Sequence, residues 1–206
     1  MRALILAAGL LVACGGAMAQ QGVQEKLKAI QSDPVALRAA VDAGKKVTFF
    51  CANCHGEDGI SKLPEVPNLA GQNPAYLLEQ IRKFGTGERK DPFMQGLIKV
   101  LKDDERLQAA SYYASMPVPP SRADASQVSK GKELFGKLCV RCHGEQGRGN
   151  ETIARLAGQK QPYLQTTITR YRDKTGVRNN QLMAIATAGL KNEEIVAISN
   201  YLTQLP

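Results

Sequence analysis

Cys51-Ala52-Asn53-Cys54-His55 and Cys139-Val140-Arg141-Cys142-His143 hold four of the chain's five cysteines and both of its histidines. Two thiols spaced this way can add to the two vinyl groups of a porphyrin, and a histidine directly after them reaches the iron. This is the attachment pattern of a c-type haem. Other chemistry uses the same residues. An exported Cys-x-x-Cys pair can form a disulfide or do redox work, but that chemistry requires no histidine after both pairs. Zinc could take two cysteines and a histidine, yet each half would then lack a fourth tetrahedral ligand. Two covalently bound haem c groups are the expectation, held through Cys51, Cys54, Cys139 and Cys142.

The elements that must carry these groups read as helices. Pro74 to Phe84 and Pro162 to Tyr171 place proline near a first turn and apolar residues three or four apart. Gly131-Lys132-Glu133-Leu134-Phe135 opens an amphipathic segment leading to the second attachment site. Asp103-Asp104-Glu105 and Glu193-Glu194 suit helix first turns, where free N–H groups favour negative charge. No long alternating stretch reads as a strand, so the predicted class is all-α.

The two sites anchor a longer repeat. Leu69-Ala70-Gly71-Gln72 answers to Leu156-Ala157-Gly158-Gln159, Tyr76-Leu77 to Tyr163-Leu164, Ile81 to Ile168 and Phe84 to Tyr171. Met94 then falls opposite Met183, Tyr112 opposite Tyr201 and Pro117 opposite Pro206. Two copies of one small domain are expected, at 41–117 and 127–206, joined by a proline-rich linker over 118–126 that favours extended chain. Units this small bury a marginal core, which a fixed porphyrin would complete. Residues 20–40 show no copy. Val23, Leu27 and Ile30 could share a helix face there, and Asp33-Pro34 could start a second helix. The stretch reads as a packing extension, with a partner-binding arm as the alternative.

The repeat also selects iron ligands. His55 and His143 are the proximal candidates, and no further histidine is available for a second axial position. A methionine thioether coordinates haem iron and raises its potential. Met94 and Met183 occupy matched places, whereas Met116 stands opposite Leu205. Lysine or asparagine could substitute in principle, but none has a better positional case. Closed His/Met coordination would suit one-electron exchange rather than binding of oxygen, peroxide or nitrite. No separate acid–base cluster is evident, so the chain reads as a carrier and not as an enzyme. A small peroxidase, and a fixed electron-transfer subunit of a dehydrogenase or oxidase, are the alternatives.

Met1-Arg2, an apolar run from Ala3 to Val12, and Ala17-Met18-Ala19 form a secretory signal over 1–19 with expected cleavage after Ala19. Leu11-Val12-Ala13-Cys14 also fits a lipoprotein site, leaving a membrane-associated form through Cys14 as the alternative. No later segment has the roughly eighteen apolar residues of a bilayer helix. The formal net charge is +8. Residues 21–118 carry 13 basic and 12 acidic side chains, against 13 and 7 in 119–206. Much of the excess lies in Arg170-Tyr171-Arg172-Asp173-Lys174 and Arg178. That run is either a solvated helix end or a surface steering towards an acidic redox partner or anionic membrane. No nucleic-acid motif accompanies it.

With both CxxCH sites, the Leu-Ala-Gly-Gln pair and the paired Met94 and Met183, residues 41–206 resemble the dihaem cytochrome c4 family. The resemblance implies tandem class I cytochrome c domains about a pseudo-twofold axis, relaying electrons in the bacterial periplasm. Redox proteins are the implied partners, among them a membrane oxidase or a quinol-oxidising complex. It assigns porphyrin attachment to the four cysteines, and iron to His55, Met94, His143 and Met183. One departure stands out: Pro67, whose carbonyl would orient His55, is replaced by Ala154 in the second half.

Overall fold

The computed structural model describes residues 22–119 and 124–206. The expected signal peptide, its cleavage site, Cys14 and the middle of the linker lie outside these residues. Among the described residues, eleven helices follow in chain order. The first half holds α1 (22–32), α2 (Pro34–Val47), α3 (Phe49–His55), α4 (Pro74–Thr86), α5 (Pro92–Lys99) and α6 (Asp103–Ala114). The second holds α7 (Ala125–Leu138), α8 (Val140–His143), α9 (Gln161–Arg172), α10 (Gln181–Thr187) and α11 (Asn192–Gln204). Among the described residues the one β contact is an isolated antiparallel bridge between Arg89 and Arg178.

Local chemistry explains the boundaries. Asp33 caps α2, its carboxylate accepting from Val35 N at 2.8 Å, and Pro34 fills the first turn, where no N–H is required. The first turns of α6 and α11 repeat one device. Glu105 accepts from Lys102 N at 2.7 Å and Glu194 from Lys191 N at 2.8 Å, so carboxylates sit where the helix dipole favours them.

α2 packs on α6 as α7 packs on α11. At both crossings a glycine brings backbones together. A Cβ on Gly44 would stand 2.6 Å from Tyr112 Cβ, and one on Gly131 would stand 2.8 Å from Tyr201 Cβ. α2 is therefore the first half's equivalent of α7. The expected domain start at residue 41 falls inside this continuous helix, and part of the stretch that seemed unrepeated has a counterpart. α7 likewise begins at Ala125, six residues before the expected Gly131 start, because Asp124 caps it by accepting from Ser126 N.

Each half has its own core. Leu77, Leu78, Leu107, Ala110 and Tyr113 form one, and Phe135, Leu164, Ile168, Ile195, Ile198 and Leu202 contribute to the other. α1 adds Leu27, only 1% exposed, to the first core, with Val23 and Ile30 packed beside it. Among the described residues, no helix is long and apolar enough to cross a membrane.

Candidate haem sites and the joint between them

Cys51 and Cys54 lie one turn apart in α3, while Cys139 caps α8 one turn before Cys142. Among the described residues no disulfide joins the four cysteines. Burial pushes the Cys51 thiol up, and burial with the neighbouring Cys142 pushes Cys139 up to about 11. Thiols held protonated are poor nucleophiles for dithiol exchange. Among the described residues no group of three His, Cys, Asp or Glu side chains is arranged to hold a metal ion, so the zinc alternative lacks a ligand set.

Both histidines are buried, and each donates its Nδ1–H to a backbone carbonyl. His55 donates to Pro67 O at 2.9 Å, and His143 to Ala154 O at 2.9 Å. A carbonyl can only accept, so the proton sits on Nδ1 and the Nε2 lone pair is free for a metal. Burial also lowers both imidazole pKa values, which favours the neutral form that coordinates. The Pro67-to-Ala154 departure leaves this bond unchanged, because it uses a main-chain oxygen.

Met94 and Met183 sit in the first turns of α5 and α10. Asp91 accepts from Met94 N and Asn180 from Met183 N, both at 3.0 Å. One cavity of about 460 Å³ is lined by both histidines, both methionines and all four cysteines, with Leu77, Ile81, Leu164 and Ile168 among its apolar walls. From each half a histidine nitrogen, a methionine sulfur, a pair of thiols and apolar side chains line this cavity, a set of donors that fits a porphyrin. Met116 is not part of this lining. Its sulfur lies instead beside Gly59, 2.9 Å from where a Cβ would stand.

The halves meet through the repeated Leu-Ala-Gly-Gln segments. Gln72 donates to Arg155 O at 2.9 Å and accepts from Arg155 N at 2.7 Å. Gln159 does the same with Asn68, at 2.9 and 2.8 Å. Gln72 and Gln159 are equivalent, as are Asn68 and Arg155, so the exchange is the reciprocal contact that a twofold requires. Each buried amide thereby completes the main-chain pairing of the other half. The sequence showed these glutamines as a repeat without showing that each reads the opposite copy.

Gly71 and Gly158, both at positive φ, flank Val118 of the linker. A Cβ on Gly71 would strike Val118 Cγ2, and one on Gly158 would strike Cγ1. Arg89, Arg178, Tyr76 and Tyr163 also line the cavity at this joint. Their signal was available in the sequence, since Arg89 and Arg178 each stand five residues before the matched methionines. The basic run is less open than its composition suggests. Arg178 is 8% exposed, and Arg172 is tied to Leu190 O at 3.1 Å and Asn192 Oδ1 at 2.7 Å. Lys174 remains exposed.

Known proteins resemble this chain in sequence and in fold. The cytochrome c family profile matches residues 128–206. The chain is 35% identical to cytochrome c4 of Pseudomonas aeruginosa over 175 residues, covering 79% of this chain and 87% of that protein. It is 31% identical to a thiosulfate dehydrogenase electron acceptor of Stutzerimonas stutzeri, covering 73% of this chain and 76% of that protein. The crystal structure of reduced cytochrome c4 from Pseudomonas stutzeri superposes with a TM-score of 0.75 at 32% identity, covering 81% of this chain and 98% of that one.

Proposed function

The chain belongs to the cytochrome c4 family, and from that premise we propose which residues hold its two haems and where its units begin. It is a periplasmic dihaem c-type cytochrome that carries electrons and is not a catalytic enzyme. Cys51 and Cys54 attach one porphyrin, and Cys139 and Cys142 the other. His55 with Met94 and His143 with Met183 complete the two irons. The observation that carries this reading is the matched pair of donors: from each half a Nδ1-anchored histidine and a first-turn methionine line the one cavity that the halves share. The proposed units, 41–117 and 127–206, begin inside α2 and α7, the helices that lead to their attachment sites.

When bound, the haem supplies a one-electron Fe(III)/Fe(II) couple. The residues do the rest. The carbonyls of Pro67 and Ala154 hold each imidazole in one tautomer and orientation. Apolar walls exclude water and disfavour the extra charge of the ferric state, and the thioethers act in the same direction. With His55 and Met94 holding one iron and His143 and Met183 the other, the chain would leave no site for a substrate at the metal and would suit electron exchange instead.

The expected test is substitution of one methionine at a time. Met94→Ala and Met183→Ala should each remove about half of the weak long-wavelength band of ferric methionine-ligated haem, and open one iron to exogenous ligands. A full band in either variant would overturn that assignment.

Partners are respiratory oxidase or dehydrogenase complexes. The similarity to an electron acceptor of thiosulfate dehydrogenase supports a dehydrogenase as donor, with a membrane oxidase as acceptor. Steering by the basic second half is part of the proposal, with Lys174 as its exposed element. Lys174→Glu should slow encounter with an acidic partner at low salt and leave the haem spectra unchanged. An unchanged rate would remove the steering role.

A further inference from the structure

The carbonyl that holds each histidine belongs to a peptide group whose other end is bonded as well. Pro67 O accepts from His55 Nδ1 at 2.9 Å, and Asn68 N, in the same peptide unit, donates to Gln159 Oε1 at 2.8 Å. In the second half Ala154 O accepts from His143 Nδ1 at 2.9 Å, and Arg155 N donates to Gln72 Oε1 at 2.7 Å. A planar trans peptide points its C=O and N–H in opposite directions. Each unit therefore stands between a histidine of its own half and a glutamine of the other.

Further contacts from the opposite copy pin the loops that carry these peptides. Gln159 Nε2 donates to Asn68 O and Gln72 Nε2 to Arg155 O, both at 2.9 Å, so each side-chain amide grips one residue at both its N–H and its C=O. The residues after the glutamines extend the grip. Asn73 donates to Arg148 O and Ile153 O, both at 3.1 Å. Lys160 Nζ donates to Ser61 O at 2.6 Å and to Leu63 O at 2.8 Å. Both glutamines are buried, so water competes little for their bonds. Hydrogen bonds in series polarise one another, and a peptide whose N–H is donating offers a more negative carbonyl oxygen. A stronger acceptor on Nδ1–H makes imidazole a more basic metal ligand and fixes the plane of its ring.

We propose that each half sets the iron of the other: Gln159 acts on His55 through the Pro67–Asn68 peptide, and Gln72 acts on His143 through the Ala154–Arg155 peptide. The proposal rests on the dihaem reading above. The two glutamines are positioning residues, with Asn73 and Lys160 holding the loops that present the peptides. A more basic histidine favours the ferric state, so loss of a glutamine should raise the midpoint of the iron in the opposite half.

The test is a redox titration of the holoprotein resolving the two one-electron steps, with the paramagnetically shifted haem and histidine resonances assigning each step to its half. Gln159→Ala should move the first midpoint to a more positive value and shift the His55 ring resonances, leaving the second half unmoved. Gln72→Ala should do the reverse, raising the second midpoint and moving the His143 resonances. Asn73→Ala, a neutral change at a half-buried position, should raise the second midpoint by less, and decides the matter if a glutamine variant does not fold. Failure of the dihaem reading would show in the wild type itself, as the lack of two one-electron steps. With those steps present, unmoved midpoints, equal shifts in both halves or a shift confined to the substituted half would overturn the crossed control.

Discussion

The two halves solve one problem with the same main chain and different side chains. Both histidines donate to a carbonyl at 2.9 Å, whether it belongs to Pro67 or Ala154. Both methionine helices are capped at 3.0 Å, whether by the carboxylate of Asp91 or the amide of Asn180. The geometry of each site is thus carried by backbone atoms and short polar caps, and tolerates exchange of the residues that supply them. What the exchanges alter is charge and support. Asp91 places a negative charge beside the first methionine, and Asn180 places none beside the second. The first half also rests on α1, and holds Arg82 between Glu79 and Glu88, whereas Val177 stands where Glu88 would be repeated.

These differences can be broken one by one. The largest effect is expected at Leu27, fully buried in α1. Leu27→Ala should cost about 2–5 kcal/mol and loosen the first half alone, as read by hydrogen exchange resolved by half. Equal loss of protection in both halves would mean that α1 supports the whole molecule. The glutamines test what the halves share. Gln72→Ala and Gln159→Ala each leave a partly buried N–H and C=O of the opposite copy without their partner, a loss of about 1 kcal/mol per unmet group. Chemical denaturation of the two variants should give matching losses, because the contacts are reciprocal; unequal losses would break the twofold.

Asp91→Asn turns the first cap into the second. It should keep the cap and raise the first midpoint slightly, since a negative charge near iron favours the ferric state, and the exposed position limits the size. An unmoved first midpoint would show that the caps do not set haem inequality. The smallest effect concerns acid. Bonding to Arg82 holds the Glu88 carboxyl down to about 2, from an ordinary 4.5. Its contribution is therefore complete above roughly pH 4.5 and fades as pH falls towards 2. Amide exchange in α4 should quicken over that window more than in α9, and Glu88→Gln should abolish the difference.

Much of this was legible in the repeat. The attachment motifs, the paired methionines and the all-helical class follow from residue type and spacing. The equivalence of α2 and α7 was hidden by a slip of one position: Gly44 precedes Cys51 by seven residues, and Gly131 precedes Cys139 by eight. Anchoring the comparison on the cysteines therefore sets Gly44 beside the wrong neighbour. The joint was hidden for a different reason. Gln72 and Gln159 show in the sequence only as a repeat, and only tertiary packing shows that each faces the opposite copy. The basic run misled in the opposite sense, because composition counts Arg178 as surface charge while the fold buries it.

Val118 carries a consequence for how such a molecule differs from a dimer of its parts. In a homodimer, any residue near the symmetry axis arrives twice, and two isopropyl groups could not share the notch between Gly71 and Gly158. A single chain delivers one. The joint is thus built around an element that belongs to neither copy, and severing the chain there would leave two halves with only one wedge between them.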